Sequence, residues 1–195
     1  MNTKKDKKTQ ATPSCDNKDD KNRESLRPEL RELFEREAFL FDENRPEAVA
    51  KRRQHRQRTA RANVNDLCDP NSFIEYGAFA VAAQRGRCSE EDLISRTPAD
   101  GLIAGIGSVN GSFFNAQRSR CMIMAYDYTV LAGTQGYFNH KKMDRMLKLA
   151  YEQRLPLVLF AEGGGGRPGD VDAIGVMTAG LDLSTFSAFA KLSGR

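Results

Sequence analysis

No uninterrupted apolar stretch of this 195-residue chain approaches the length of a membrane-spanning helix, and its N-terminus lacks the apolar core of a secretory signal. Both absences point to a cytoplasmic protein with no membrane partner. The four cysteines, Cys15, Cys68, Cys88 and Cys121, form no C-x-x-C pair, and neither His55 nor His140 lies beside one. That spacing argues against a zinc site or any other metal centre, and against a disulfide framework. The excess of positive charge is only +4, too little by itself to argue for nucleic acid. Hydrophobic residues make up 39% and charged residues 29%, which suits one globular domain or a piece of something larger.

Residues 1–27 hold many Lys and Asp and no large aliphatic side chain between Met1 and Leu26. Such a segment does not bury enough surface to offset its ordering entropy. A disordered polar tail is expected there, with residues 28–195 as the folded part. Pro28 opens a helix that sets Leu30, Leu33, Phe34, Ala38 and Phe41 at helical spacing. Pro46 starts a second helix, which runs into the basic stretch at 51–58, and Thr59 caps a third. Residues 73–76 read as a short strand. The apolar stretch 101–109 followed by Asn110-Gly111 predicts a strand and a type I′ hairpin turn, with the return beginning at 112–116. A strand follows at 121–126. Asn139 is expected to cap the next helix, whose apolar face carries Met143, Met146, Leu147 and Ala150. A strand at 155–161 and a last helix over 183–192 complete the pattern, with Phe186, Phe189 and Leu192 forming an apolar face that seeks cover. Strands alternating with helices after Gly101 give an α/β layer fold.

The most informative feature is Gly163-Gly164-Gly165-Gly166, directly after the apolar strand and before Arg167-Pro168-Gly169-Asp170. A backbone without Cβ atoms takes positive φ and comes close to other groups. It can turn consecutive N–H groups toward one point and cradle a negatively charged oxygen. No Lys-Ser or Lys-Thr follows at the spacing of a P-loop, which argues against nucleotide hydrolysis. The basic run at 51–61 lacks interleaved aromatics, which argues against a nucleic-acid partner.

Several separated motifs point to one family. Thr59-Ala60-Arg61, followed by Asp69-Pro70-Asn71-Ser72-Phe73-Ile74-Glu75, resembles the T-A-R…D-P-x-S-F-x-E segment of biotin-dependent acyl-CoA carboxyltransferases. Asp100-Gly101-Leu102-Ile103-Ala104-Gly105 is similar to that family's D-G-V-V-T-G strand, and residues 126–136 resemble its Q-D-F-T-V-F-G-G-S-x-G turn. The glycine run stands where the family has S-G-G-A-R: Gly163 replaces Ser, Gly166 replaces Ala, and Arg167 keeps the Arg. The glycine-run variant looks most like the carboxyltransferase region of large fused acyl-CoA carboxylases. One departure is Arg56-Gln57-Arg58, where the family commonly has a Gly before T-A-R.

The resemblance implies a crotonase-like ββα spiral, of which residues 28–195 would be the N-terminal portion. It implies transfer of a carboxyl group from carboxybiotin to the α-carbon of an acyl-CoA, with the charge of the thioester enolate held by backbone amides. Gly165 and Gly166 are the expected donors, and Gly164, Arg167, Gly133 and Lys142 the expected substrate-binding residues. For Arg167 the alternatives are bracing of the loop or a CoA phosphate. For Lys142 they are the CoA diphosphate or an exposed helix face, and for the turn from Gly133 to Gly136 an anion site or close packing of two layers. Asp127 is expected to stabilise a turn. Biotin on a carrier protein, a biotin carboxylase, the C-terminal half of the carboxyltransferase and further copies of the chain are the implied partners. The second oxyanion donor and the biotin-handling half are expected outside these residues, so the chain alone is expected to be catalytically incomplete. The alternative is an inactive fragment or assembly module of a split or truncated carboxylase.

Overall fold

The computed structural model describes residues 26–173 and 184–193. The polar tail expected over 1–27 lies outside them except for Leu26 and Arg27. Helix α1 (Pro28–Ala38) begins in the first of two units into which the chain divides after Glu35. The sheet and its surrounding helices belong to the second, Arg36–Arg195.

Four strands form one sheet in the order β1 (Ile74–Glu75), β2 (Leu102–Ser108), β3 (Arg120–Tyr126), β4 (Leu157–Phe160). β1 and β3 both run antiparallel to β2, and β4 runs parallel to β3. A parallel pair needs a long crossover, and helix α5 (Tyr137–Gln153) supplies it. Side chains alternate across the strands. Leu102, Ala104 and Ile106 of β2 and Met122, Met124 and Tyr126 of β3 meet Met143, Met146, Leu147 and Ala150 of α5. Ile103, Cys121, Ile123 and Ala125 face the other way, onto Ala60 and Val64 of helix α3 (Ala60–Leu67). Both faces of the central pair are covered, which is why its strands read as continuous apolar runs. Each buried Val, Leu, Ile or Met among them contributes roughly 1.5–3 kcal/mol by leaving water.

Helix α2 (Pro46–Gln54) starts at its proline, and Thr59 caps α3 by accepting from the Ala62 amide at 3.0 Å. Helix α4 (Glu90–Arg96) is capped in the same way by Ser89. The basic run is broken by the left-handed Arg56 (φ 56°). Arg52 and Arg61 turn inward and are buried, while Lys51, Arg53 and Arg58 stay exposed.

Three expectations are corrected. Asn110-Gly111 does not make a two-residue hairpin: Ser108 pairs with Arg120, and residues 112–116 are turn, not strand. The Asn110 carbonyl accepts from both Phe113 and Phe114, and the Gly111 amide goes to Asp69 Oδ2 at 2.8 Å. Helix α5 starts at Tyr137 with Gly136 as its cap; Asn139 sits buried inside the first turn, its side chain donating to the Asp100 carbonyl at 3.1 Å. Helix α6 (Thr185–Ser193) packs Phe189 and Leu192 against the α5 face of the core, leaving only Phe186 of the three expected residues strongly exposed. Leu183, expected to open that helix, lies outside the described residues.

Candidate active-site loop

Parallel pairing of β4 with β3 delivers residues 161–167 beside the turn that follows β3. The Gln135 amide donates to the Gly165 carbonyl and the Arg167 amide to the Gln135 carbonyl, both at 2.8 Å, so Gln135 bridges Gly166 in a parallel sense. The Gly164 amide donates to the Ala132 carbonyl at 3.1 Å. Two glycines make this docking possible. A Cβ at Gly163 would lie 2.1 Å from the Gly133 carbonyl oxygen, and one at Gly133 (φ 65°) would lie 2.4 Å from that of Glu162. Backbone meets backbone there, so Gly133 serves the close packing of two segments rather than an anion.

The bridge leaves the Gly166 N–H on the side opposite Gln135. Among the described residues neither the Gly165 nor the Gly166 amide donates to a protein acceptor. Gly165 holds φ 83°, a conformation suited to glycine, and a Cβ on either residue would meet nothing within 4 Å. Both residues are exposed. Two adjacent bare amides thus lie on a loop pinned along its other edge. Gly164, expected beside them as a substrate contact, has its amide on Ala132.

Arg167 reaches inward and braces the loop. Its guanidinium, 4% exposed, pairs with Asp100 Oδ1, lies 3.6 Å from Asp170 Oδ1, and donates to the Thr134 carbonyl at 2.6 Å and the Thr134 hydroxyl at 3.2 Å. Of its two expected roles the structure provides the bracing one. Burial pushes the Asp100 carboxyl above the usual carboxylate range, partly offset by the Arg167 guanidinium. The second oxygens of both carboxylates accept first-turn amides of α5: Asp170 from Tyr137 and Asp100 from Asn139, each at 2.7 Å. The helix end expected to attract an anion is thus occupied by the protein's own carboxylates.

Lys142 is neither exposed nor free to reach out. Its ammonium is buried and donates to the Leu102 carbonyl, with the Ala99 carbonyl at 3.4 Å. Burial lowers its pKa to about 8, with Glu75 and Asp100 opposing and Arg61 reinforcing the shift. An amine whose folded pKa lies below its unfolded one favours folding fully above the unfolded value near 10.5, and that contribution is lost as pH falls through about 8. The stability of the unmutated protein relative to Lys142→Met is therefore expected to rise between pH 7.5 and 10, measured by urea unfolding at several pH values. A flat difference would show that the ammonium is not desolvated.

Asp127 stabilises its turn, accepting from the Thr129 amide at 2.9 Å and pairing with Arg45 at 2.8 Å. His140 is buried against Thr185 at 3.3 Å, and Thr185 donates to Asp144 at 2.5 Å; burial lowers the His140 pKa. Asp100, Asp170, Glu162 and Arg52 are site-building residues that sequence reasoning did not assign. The available signals were the Asp before Gly101 and the Asp after Gly169; no local pattern marks Arg52.

Residues 51–193 match the carboxyl transferase domain family. The propionyl-CoA carboxylase beta chain of Saccharopolyspora erythraea is 29% identical over 166 residues, 85% of this chain and 28% of that one. The methylmalonyl-CoA carboxyltransferase 12S subunit of Propionibacterium freudenreichii is 29% identical over 119 residues, 61% of this chain and 21% of that one. Among solved structures, a single-chain, multi-domain long-chain acyl-CoA carboxylase is 56% identical with a TM-score of 0.79, covering 86% of this chain and 16% of that chain. A transcarboxylase 12S structure, 24% identical with a TM-score of 0.58 over 86% of this chain and 28% of that one, shares the fold. The chain spans under a third of the length of each of these relatives. Their fold is the crotonase-like α/β arrangement expected from the motifs.

Proposed function

The chain belongs to the carboxyl transferase domain family, and from that membership we propose that it forms the acyl-CoA side of a biotin-dependent carboxyltransferase. Residues 28–195 are then the N-terminal part of the transferase domain. The observation that carries this reading is the pair of unpartnered amides at Gly165 and Gly166, on a loop whose opposite edge is fixed to Gln135 and Ala132. Removal of the α-proton of an acyl-CoA, by a base supplied from outside these residues, gathers charge on the thioester oxygen. Donors already aimed at that oxygen favour the enolate over the thioester and need no reorganisation. The loop offers a thioester oxygen free backbone N–H groups; carboxybiotin, when bound, supplies the carboxyl group that the α-carbon receives.

The partners follow from the same reading: the C-terminal half of the transferase, a biotin carboxylase, a biotin carrier protein and further copies of this chain, acting in the cytoplasm. The transcarboxylase 12S relative is described as a hexamer with methylmalonyl-CoA bound, which supports oligomerisation and a CoA ester as ligand.

Gly166→Pro removes one donor. Turnover in the assembled enzyme is expected to fall by about 10²–10³, the loss associated with one oxyanion donor. Gly166→Ala keeps the N–H, and its Cβ has open space. Steady-state kinetics with an acyl-CoA series compare the two. Equal turnover in the alanine and proline variants would remove the Gly166 amide from the mechanism. Acyl-CoA binding without transfer by the isolated chain is the expected behaviour of an incomplete site; absence of binding would favour the assembly-module reading.

A further inference from the structure

We propose that Arg52 is a positioning residue for the glycine loop, acting through Glu162; this rests on the reading of the Gly165 and Gly166 amides as donors to the thioester oxygen. Four consecutive glycines lose more conformational freedom on ordering than any other run, so a loop that must aim two amides needs both ends fixed. Arg167 fixes the far end. At the near end, Glu162 immediately precedes Gly163 and receives both Arg52 terminal nitrogens, at 2.7 and 2.6 Å, one on each carboxylate oxygen. The remaining N–H groups of Arg52 go to the Arg58 carbonyl at 3.0 and 2.7 Å and to Gln57 Oε1 at 2.7 Å. The side chain is 8% exposed, and its guanidinium lies over the Tyr128 ring at 5.3 Å. A planar fork with every donor engaged holds a carboxylate in one orientation.

The same helix reaches the other half of the loop's bed. Arg45, the residue capping α2, pairs with Asp127 at 2.8 Å and donates to Thr129 at 2.6 Å, in the turn that leads to Gly133. Helix α2 therefore grips both segments that touch at Gly133 and Gly163. Its contribution to the reaction is orientation, since a displacement of about 1 Å in a donor costs on the order of 10² in rate.

The test uses the assembled enzyme with the unmutated chain and with two variants: Glu162→Gln, at a half-exposed position, and Arg52→Lys, which keeps the charge and loses the fork. Hydrogen exchange at the Gly164, Gln135 and Arg167 amides reports loop docking. Deuteration of the α-carbon of butyryl-CoA by the assembled enzyme in D2O reports enolate formation, the α-proton passing to a base supplied from outside these residues. Expected in both variants is at least tenfold faster exchange at those three amides with unchanged protection at Met122 and Met124. The deuteration rate constant is expected to drop at least tenfold at an unchanged half-saturating concentration. Unchanged loop protection, or a loosened loop with undiminished deuteration, overturns the proposal. If Gly166→Pro leaves deuteration by the assembled enzyme undiminished, the reading of the amides falls, and the exchange data still decide whether Arg52 fixes the loop.

Discussion

Arg167→Ala is expected to destabilise the protein by about 3–5 kcal/mol, the range for leaving a buried carboxylate without its partner. For a domain of this size that corresponds to a drop on the order of 10 °C in Tm, read by thermal unfolding followed by circular dichroism. The physical reason is the pair of side chains left behind. Asp100 has no solvent exposure and Asp170 is 5% exposed. Each keeps a first-turn amide of α5, yet neither regains water when the guanidinium is gone. The Thr134 carbonyl loses its 2.6 Å donor as well. Arg167→Lys should recover part of the loss, since an ammonium restores one charge but cannot serve Asp100 and Thr134 together. A Tm change under about 3 °C for Arg167→Ala would show that the cluster is solvated and that the loop is braced by its backbone bridges alone.

Gly163→Ala is expected to lower turnover of the assembled enzyme by about 100-fold or more, the consequence of moving reacting groups by about 1 Å. The introduced Cβ would sit 2.1 Å from the Gly133 carbonyl oxygen and 2.7 Å from its carbon. Those are backbone atoms of a turn whose flanking residues Ala132 and Gln135 also hold the loop, so no side chain can swing aside. The segments must separate, and the amides of Gly165 and Gly166 move with them. Gly164→Ala is the informative control: its Cβ would meet the Thr134 methyl at 3.3 Å and the Ala132 carbonyl oxygen at an ordinary 3.8 Å. Comparable kinetics for Gly163→Ala and the unmutated protein would show that the close approach is not needed for aim.

The sequence stated the sheet and its helices where the signal is local. The continuous apolar runs of β2 and β3, the prolines at the starts of α1 and α2, and Thr59 as a cap are decided by residues within a few positions of one another. The family was legible because four short motifs keep their order. The failures have one cause, ties between residues far apart in the chain. Asn110-Gly111 looked like a hairpin turn, yet the Gly111 amide is claimed by Asp69, 42 positions earlier. Asn139 looked like a cap, yet the first turn of α5 is capped by Asp100 and Asp170, 39 and 33 positions away from the amides they accept. Lys142 looked wet because helix patterning does not report that the start of β2 lies over it. The clamp between Arg52 and Glu162 spans 110 positions and has no local mark. At the glycine run, composition announced bare amides, and only the bridge with Gln135 determined which of them stay bare.

The two carboxylates at the head of α5 also shape the electric field that an incoming ligand meets. A helix start normally presents partial positive charge and draws in phosphate. Here Asp100 and Asp170 cancel that attraction from within. With Arg167 beside them, the two carboxylates leave the Tyr137 and Asn139 amides closed to an incoming phosphate.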